Sequence, residues 1–158
     1  KRGQAWGMDL IIATIIFIAG IVVFYFYALN STKEPEEIIN RLNYEGNIIT
    51  NEILSEGFPA NWNELNAISI GITSANKIND TKLEKFYEFS LNNYNRTKLL
   101  FNTRYNYYIY LSEENFTINS QNIEGIGLKS VDSRNLIKIS RVTIYNNKLI
   151  TINVEVWE

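Results

Sequence analysis

LIIATIIFIAGIVVFYFYAL, residues 10–29, is a run of twenty residues without a charged side chain. Its only polar groups are those of Thr14, Tyr25 and Tyr27. As a helix the run is about 30 Å long, which matches the hydrocarbon thickness of a bilayer. No polar stripe recurs at the helical period, so the helix needs lipid or other apolar helices on every side. A chain of 158 residues is too small to bury such a helix inside a water-soluble domain.

Both flanks of this run are typical of a membrane-spanning helix. Lys1 and Arg2 precede it, and Trp6 lies near its start. Aromatic residues also fill positions 24–27 at its far end, and aromatic rings favour the boundary between lipid and water. Because positive residues stay on the cytoplasmic side, we expect a single-pass protein with a cytoplasmic amino end and an extracellular remainder.

Composition excludes several functions. The net charge is −2 and the pI is about 5.3, with no basic run after Arg2, so nucleic acid is not an expected partner. The chain has no cysteine and no histidine, which removes disulfides, the usual zinc sites and the common general base. Two adjacent carboxylate pairs occur, at 36–37 and 113–114, but neighbouring side chains on a helix or strand point apart. The sequence therefore predicts no catalytic residue, no cofactor and no metal.

The residues before the apolar run form the most specific pattern in the chain. Lys1-Arg2-Gly3 is followed by Gln4 and by the acidic Asp9. A secretory signal would have a shorter apolar core with its cleavage site after that core, whereas here the small residue and the charges come first. This arrangement resembles the class III signal of type IV pilin precursors, and the Gly3-Gln4 junction resembles the archaeal form.

The resemblance implies a processing site and an assembly site. A membrane-bound prepilin peptidase would cut after Gly3, so Gly3 and Gln4 are the processing residues, and the helix would stay on the mature protein. Asp9 would pair with the new terminal ammonium of a neighbouring subunit. In the bacterial pattern the acidic residue lies four positions after the first mature residue, whereas Asp9 lies five after Gln4. Either the cut follows Gln4 or the archaeal pattern tolerates the shift; the alternative is an uncleaved signal anchor.

Three segments follow from this reading. Residues 1–9 form the leader with its processing site, residues 10–29 the transmembrane or assembly helix, and residues 30–158 an extracellular head. The resemblance also implies that the membrane helix continues into the head as one long, kinked rod, with the bend near Pro35.

The head begins with a second helix, which is amphipathic and is predicted from Pro35 to Glu56. Pro35 suits the first turn, and Gly57 followed by Pro59 ends the helix. Apolar residues at helical spacing should dock on a sheet: Ile38, Leu42, Ile49 and Ile53, widened by Ile39 and Leu54.

The middle of the head is less regular. Residues 57–79 read as an irregular connection in which Trp62 fills the edge of the core. Thr81 to Glu84 has capping-box spacing, which predicts a helix from Lys82 to about Leu91. We expect its inward residues to be Leu83, Phe86 and Leu91, and a further short helix to run from an Asn95 cap through Phe101.

The carboxyl-terminal half is predicted to be an antiparallel sheet. Alternation predicts a strand from Arg104 to Leu111 and a short strand over 115–119, with a loop over 121–134. LIKISRVTIY and KLITINVEVW flank Asn146-Asn147, a pair suited to a tight hairpin turn. Such a hairpin pairs Ile144 with Leu149, Ile139 with Val154 and Ile137 with Val156, and places six apolar side chains on one face: Ile137, Ile139, Ile150, Ile152, Val154 and Val156. Arg141 falls on the same face, either at its solvent end or at a bulge.

Two surface features remain open. Four tyrosines form either a stacking platform for sugars or bases or an ordinary part of the core: Tyr105, Tyr107, Tyr108 and Tyr110. Glycan acceptor tripeptides begin at four asparagines: Asn30, Asn79, Asn95 and Asn115. A chain with 22 asparagines contains about three such tripeptides by chance, so the predicted topology permits glycosylation at these positions without demonstrating it.

The sequence thus predicts a pilin-like α+β protein in which a long apolar helix carries a head with an antiparallel sheet. We expect a structural subunit, major or minor, of an archaeal type IV pilus-like surface filament. Its expected partners are the membrane, other pilin subunits and a prepilin peptidase. The alternative is a permanently anchored extracellular binding module that forms no filament.

Overall fold

The computed structural model of the chain describes the backbone of residues 3–30 and 34–158 and the side chains of residues 7–29 and 36–158. The chain divides into two compact units between Glu36 and Glu37. The first unit contains the helix α1, Gly3–Asn30, whose described side chains are all exposed. The join predicted near Pro35 between the membrane helix and the second helix involves residues 31–33, which lie outside the described part.

The second unit is an α+β head. Its helices are α2, Glu34–Ile53, which begins just before the boundary between the units, and α3, Asp80–Leu100. Its strands are β1 (Thr73–Ser74), β2 (Lys77–Ile78), β3 (Asn106–Leu111), β4 (Phe116–Ile118), β5 (Gln121–Ile123), β6 (Gly125–Gly127), β7 (Leu136–Tyr145) and β8 (Lys148–Trp157). Six of them form one sheet in the order β1-β2-β7-β8-β3-β6, antiparallel except for the pair β2 and β7. β4 and β5 form a separate two-stranded ribbon.

The terminal hairpin confirms the prediction made from its sequence. β7 and β8 pair without interruption from Leu136 opposite Trp157 to Tyr145 opposite Lys148. Asn146 and Asn147 have φ values of 48° and 59°, the left-handed conformation that a tight two-residue hairpin turn requires. The unbroken register excludes a bulge at Arg141, whose exposed guanidinium donates to Asn47 Oδ1 over 2.8 Å.

Helix α2 packs on the inner face of this hairpin, as its apolar stripe predicts. Leu42, Ile49 and Ile53 are fully buried, and the rest of the stripe is partly buried. Gly46 lies against the sheet, since a Cβ built on it would lie 2.8 Å from Cδ1 of both Ile137 and Ile139. The helix ends at Ile53, three residues before the predicted Glu56.

Helix α3 covers the other half of the inner face. The backbone of Asn93 is not helical (φ −150°, ψ 62°) and divides α3 into two helical segments, which confirms the two helices predicted for this region. Its cap is Asn79, whose side chain accepts from Lys82 N over 3.1 Å, so the capping box at Thr81 is wrong. Asn93 Oδ1 accepts from Arg96 N after the kink, in the role predicted for Asn95.

Two further corrections concern burial and strands in the head. Leu83 and Phe86 are buried as predicted, but Leu91 is 67% exposed and the buried position is Phe89. The face defined by Leu83 and Phe86 continues through Phe89 and Ser90, and at about 100° per residue Leu91 falls away from it. The segment 121–134 is not wholly loop, because β5 and β6 lie within it. The short strand predicted over 115–119 is present as β4.

Trp62 fills the core beneath the irregular connection, as predicted. It is 1% exposed, and its indole Nε1 donates to Gly71 O over 2.9 Å. The glycines beside it leave the space that the ring needs, since a Cβ on Gly57 would lie 2.6 Å from the indole. Gly57 also has φ +71°, a conformation that other residues rarely adopt.

Candidate functional site

The apolar helix α1 is the first candidate site. Gly7–Leu29 is long and apolar enough to cross a membrane. Its mean hydropathy is 2.6, and none of the residues in its most apolar part is buried. Length and composition alone do not distinguish a spanning helix from a signal sequence. The hydroxyl of Thr14, the one polar side chain between Asp9 and the tyrosines, donates back to Leu10 O over 2.8 Å and is thereby satisfied within the helix.

The predicted processing and assembly residues lie at the start of α1. Gly3 and Gln4 belong to the helical backbone, but their side chains lie outside the described residues. Asp9 is described and exposed. No side chain in the described range 7–29 forms an ion pair with it. An exposed carboxylate at the edge of an apolar helix is available to a partner outside the chain.

The glycan acceptor tripeptides occupy different environments. The Asn30 side chain lies outside the described residues, and Asn79 is half-buried as the cap of α3. Asn95 is exposed, but Thr97 of its tripeptide is fully buried and bonded to the hydroxyl of Tyr107. Asn115 lies in the exposed loop between β3 and β4, and Thr117 of its tripeptide is also exposed. Among the three described tripeptides, the one at Asn115 is open at both positions.

The four tyrosines near β3 separate onto two faces of the sheet. Tyr107 belongs to the inner face, where its ring lies 5.3 Å from that of Phe101 and 4.9 Å from that of Tyr94. Tyr105 is also buried, at 4% exposure. These two tyrosines are core residues, so the reading as a core is confirmed for them.

Tyr94 closes the edge of the sheet beside Tyr107. Its hydroxyl accepts from Tyr107 N over 2.8 Å and donates to Tyr107 O over 3.2 Å, which satisfies backbone groups on the β6 side of β3. Burial raises the pKa of Tyr94 to about 12, and burial also raises the pKa of Tyr107. Both hydroxyls therefore stay protonated and bonded at neutral pH.

Tyr108 and Tyr110 belong to the outer face, the side of the sheet opposite α2 and α3. Their rings stack on each other at 5.6 Å, and the Nζ of Lys138 lies 5.1 Å from the centroid of Tyr110. Tyr108 also lies over Gly125 of β6, where an added Cβ would come within 2.4 Å of its ring. These rings already have partners, so they are not a bare stacking platform.

These two rings form one wall of a cavity of about 470 Å³, which we term the outer groove. Its remaining lining comes from the ends and loops of neighbouring strands: Leu111, Ser112, Asn115, Glu124, Lys129 and Glu155. Glu155 accepts from the Tyr110 hydroxyl over 2.9 Å, and Lys129 lies 3.1 Å from Glu124. The hydrogen bond and negative charge of Glu124 raise the pKa of Lys129, and burial raises the pKa of Tyr108.

Sequence reasoning missed most of the outer groove. Strand alternation placed Tyr108 and Tyr110 together on the side of β3 opposite Tyr107, and the register of β8 places Glu155 directly opposite Tyr108. Glu124 and Lys129 flank β6, the strand that the sequence did not reveal. The glycine pair of β6 was the available signal, because Gly125 leaves room for the ring of Tyr108.

One carboxylate of each adjacent pair forms an ion pair. Glu37 pairs with Arg41 and Glu114 pairs with Lys148, each at 3.0 Å. Within the described residues, no three metal-ligating side chains lie close enough together to hold an ion. Two smaller cavities, of about 370 and 240 Å³, lie beside Arg104 and beside Asp80.

No protein-family model matches the chain, and neither a curated protein nor a solved structure is found to be similar to it. Functional assignment therefore depends on the sequence pattern at the amino end and on the geometry of α1 and the head.

Proposed function

We propose that this protein is a structural subunit, major or minor, of an archaeal type IV pilus-like surface filament, without enzymatic activity. The observation that carries the proposal is that α1 is exposed around its whole circumference over Gly7–Leu29 and has no charged side chain after Asp9. A helix with one apolar face would suit a single partner surface. A helix that is apolar on every side can lie in the membrane before assembly and in a bundle of identical helices after it.

The small residues of α1 support close packing in such a bundle. Gly7 and Gly20 have no described atom within 4 Å of an added Cβ, so their surfaces are open to a neighbouring helix. Small residues allow helix backbones to approach each other closely where the hydrophobic effect no longer drives association. The heads would then lie on the outside of the filament.

Asp9 supports assembly rather than insertion. A carboxylate within an apolar helix costs up to about 3 kcal/mol at the membrane centre and less near the interface. After removal of the leader, the terminal ammonium of a neighbouring subunit would neutralise Asp9 where the dielectric constant is low. If Asp9 instead remained in the headgroup layer, it would be solvated and dispensable.

A permanently anchored binding module is the second candidate. The outer groove favours it, because a cavity of about 470 Å³ lies in the range of about 300–1,000 Å³ typical of ligand sites. The two functions differ in the fate of the amino end. A filament subunit loses its leader, whereas an anchored module keeps it.

Leader removal is tested with a pair of glycine variants. A peptidase that needs a small residue before the cut should not process Gly3→Val, while Gly7→Val should be processed like the wild type. The mass of the protein recovered from cells reports processing, and membrane fractionation checks that insertion is intact. Wild-type processing of Gly3→Val would show that the leader is not a class III signal and would contradict the filament assignment.

A further inference from the structure

The lining of the outer groove contains two carboxylates and one ammonium, and Lys138 lies over the ring of Tyr110 beside it, so that the four charges sum to zero. Lys129 offsets Glu124 at 3.1 Å, and Lys138 stands beside Tyr110, whose hydroxyl is bonded to Glu155. A groove with this balance has no net attraction for an anion or a cation. Its ligand should therefore be uncharged.

The polar lining suits a ligand with many hydroxyl groups. Carboxylates accept from hydroxyls, the ammonium of Lys129 donates to them, and the amide of Asn115 and the hydroxyl of Ser112 do both. Hydrogen bonds that involve a charged partner are the stronger ones, and Glu124, Lys129 and Glu155 all provide such groups. These side chains come from separate segments and converge on one cavity.

The aromatic wall adds a requirement for apolar contact. Tyr108 is 8% exposed and Tyr110 half-buried, and both line the cavity, so each offers only part of its ring to a ligand. Aromatic side chains offer apolar surface beside a polar hydroxyl. A molecule with hydroxyls around its rim and C–H groups on its face satisfies both walls.

We propose that the outer groove is a binding site for an uncharged saccharide. The proposal does not depend on filament formation, because every lining residue lies in the head unit. The saccharide comes from one of two sources. It is a free or surface-borne glycan, or it is a glycan attached to Asn115, which lines the groove and begins the exposed tripeptide.

The first experiment uses the full chain made in a bacterial host that lacks protein glycosylation. The protein is held in a detergent without a sugar headgroup and applied to an array of neutral oligosaccharides. If the ligand is free, the wild type binds at least one of them, and Glu155→Gln weakens that binding at least tenfold. Tyr110→Ala should do the same. Glu113→Gln, an exposed neighbour outside the groove, should bind like the wild type.

The second experiment tests the attached source with protein recovered from its own cells. Mass spectrometry should find a glycan on Asn115 that Thr117→Ala removes while leaving the Asn115 amide in the groove. Periodate oxidises exposed vicinal diols, and a glycan seated in the groove should react more slowly in the wild type than in Glu155→Gln.

Circular dichroism shows whether each variant is folded. If Tyr110→Ala does not fold, the test depends on Glu155→Gln, which keeps the side-chain volume. Either positive result supports a saccharide site and identifies its source. The proposal is overturned if the unglycosylated chain binds nothing and Asn115 carries no glycan. It is equally overturned if every signal obtained, whether array binding or protection of an Asn115 glycan from periodate, is the same in wild type and Glu155→Gln.

Discussion

Gly46 offers the sharpest test of the head architecture, because α2 leaves no room there for a side chain against the sheet. An added Cβ would lie 2.8 Å from two isoleucine methyls on β7 and 3.3 Å from Cγ2 of Val156 on β8. We therefore consider Gly46→Leu, which places four heavy atoms in this contact. Gly46→Ala adds only the Cβ and serves as the intermediate case.

Two opposing effects set the magnitude. Leucine favours the helical backbone over glycine by about 0.8 kcal/mol, and alanine by up to about 1 kcal/mol. Overpacking a close-packed core costs about 1–3 kcal/mol, and more when the displaced groups cannot move. For Gly46→Ala the terms nearly cancel, because the contacts are flexible side-chain ends. For Gly46→Leu packing should win, with a net loss of about 2 kcal/mol in the free energy of unfolding.

Urea unfolding of the full chain in detergent micelles measures this loss. Tryptophan fluorescence reports on the head, because Trp62 and Trp157 are both buried there. With a urea dependence of about 1–3 kcal/mol per molar, the midpoint for Gly46→Leu should fall by roughly 1 M. The matched control is Asn43→Leu, at an exposed position of the same helix, which should change stability by at most about 0.5 kcal/mol.

The reasoning fails if Gly46→Leu is as stable as the wild type. That outcome would mean that α2 does not lie against β7 and β8 at this distance. A large loss in the free energy of unfolding of Asn43→Leu would also contradict this contact, because leucine would then destabilise α2 even at an exposed position.

Three further predictions follow. A fragment of residues 31–158 should be soluble and show a cooperative unfolding transition, because the head buries its own core; an aggregated fragment would contradict this. Asp9→Asn should insert normally but enter filaments poorly, as measured against wild type in sheared material; equal incorporation would exclude the ammonium pairing. The head should lose stability between about pH 10 and 12, because the raised pKa of Tyr94 keeps it protonated in the folded state while the unfolded chain ionises. The absorbance of tyrosinate and the unfolded fraction should then rise together as the pH increases. In Tyr94→Phe the stability of the head should fall less steeply over this pH range.

The terminal hairpin was predictable because local signals agreed with one another. Asn146-Asn147 can adopt positive φ, and the flanking runs alternate in step, so both the turn and the register follow. The stripe of α2 was predictable for the same reason, since helical spacing alone determines which side chains are buried. The apolar character of α1 follows directly from composition.

The outer groove was not predictable, because its walls come from segments without a local pattern. β6 has three residues, two of them glycine, so neither alternation nor β propensity reveals it. Its pairing with β3 depends on tertiary contact, and Glu124 and Lys129 reach the groove only through that pairing. The break in α3 was predicted two residues too late, at Asn95 instead of Asn93, because either asparagine can cap a helix.

The amino end of the protein recovered from sheared surface filaments tests the central claim most directly. If the chain is a processed filament subunit, it should be present in that fraction and begin at Gln4 or Ala5. A chain found only in the membrane fraction, still carrying Lys1 to Gly3, would contradict the filament assignment and favour the anchored binding module.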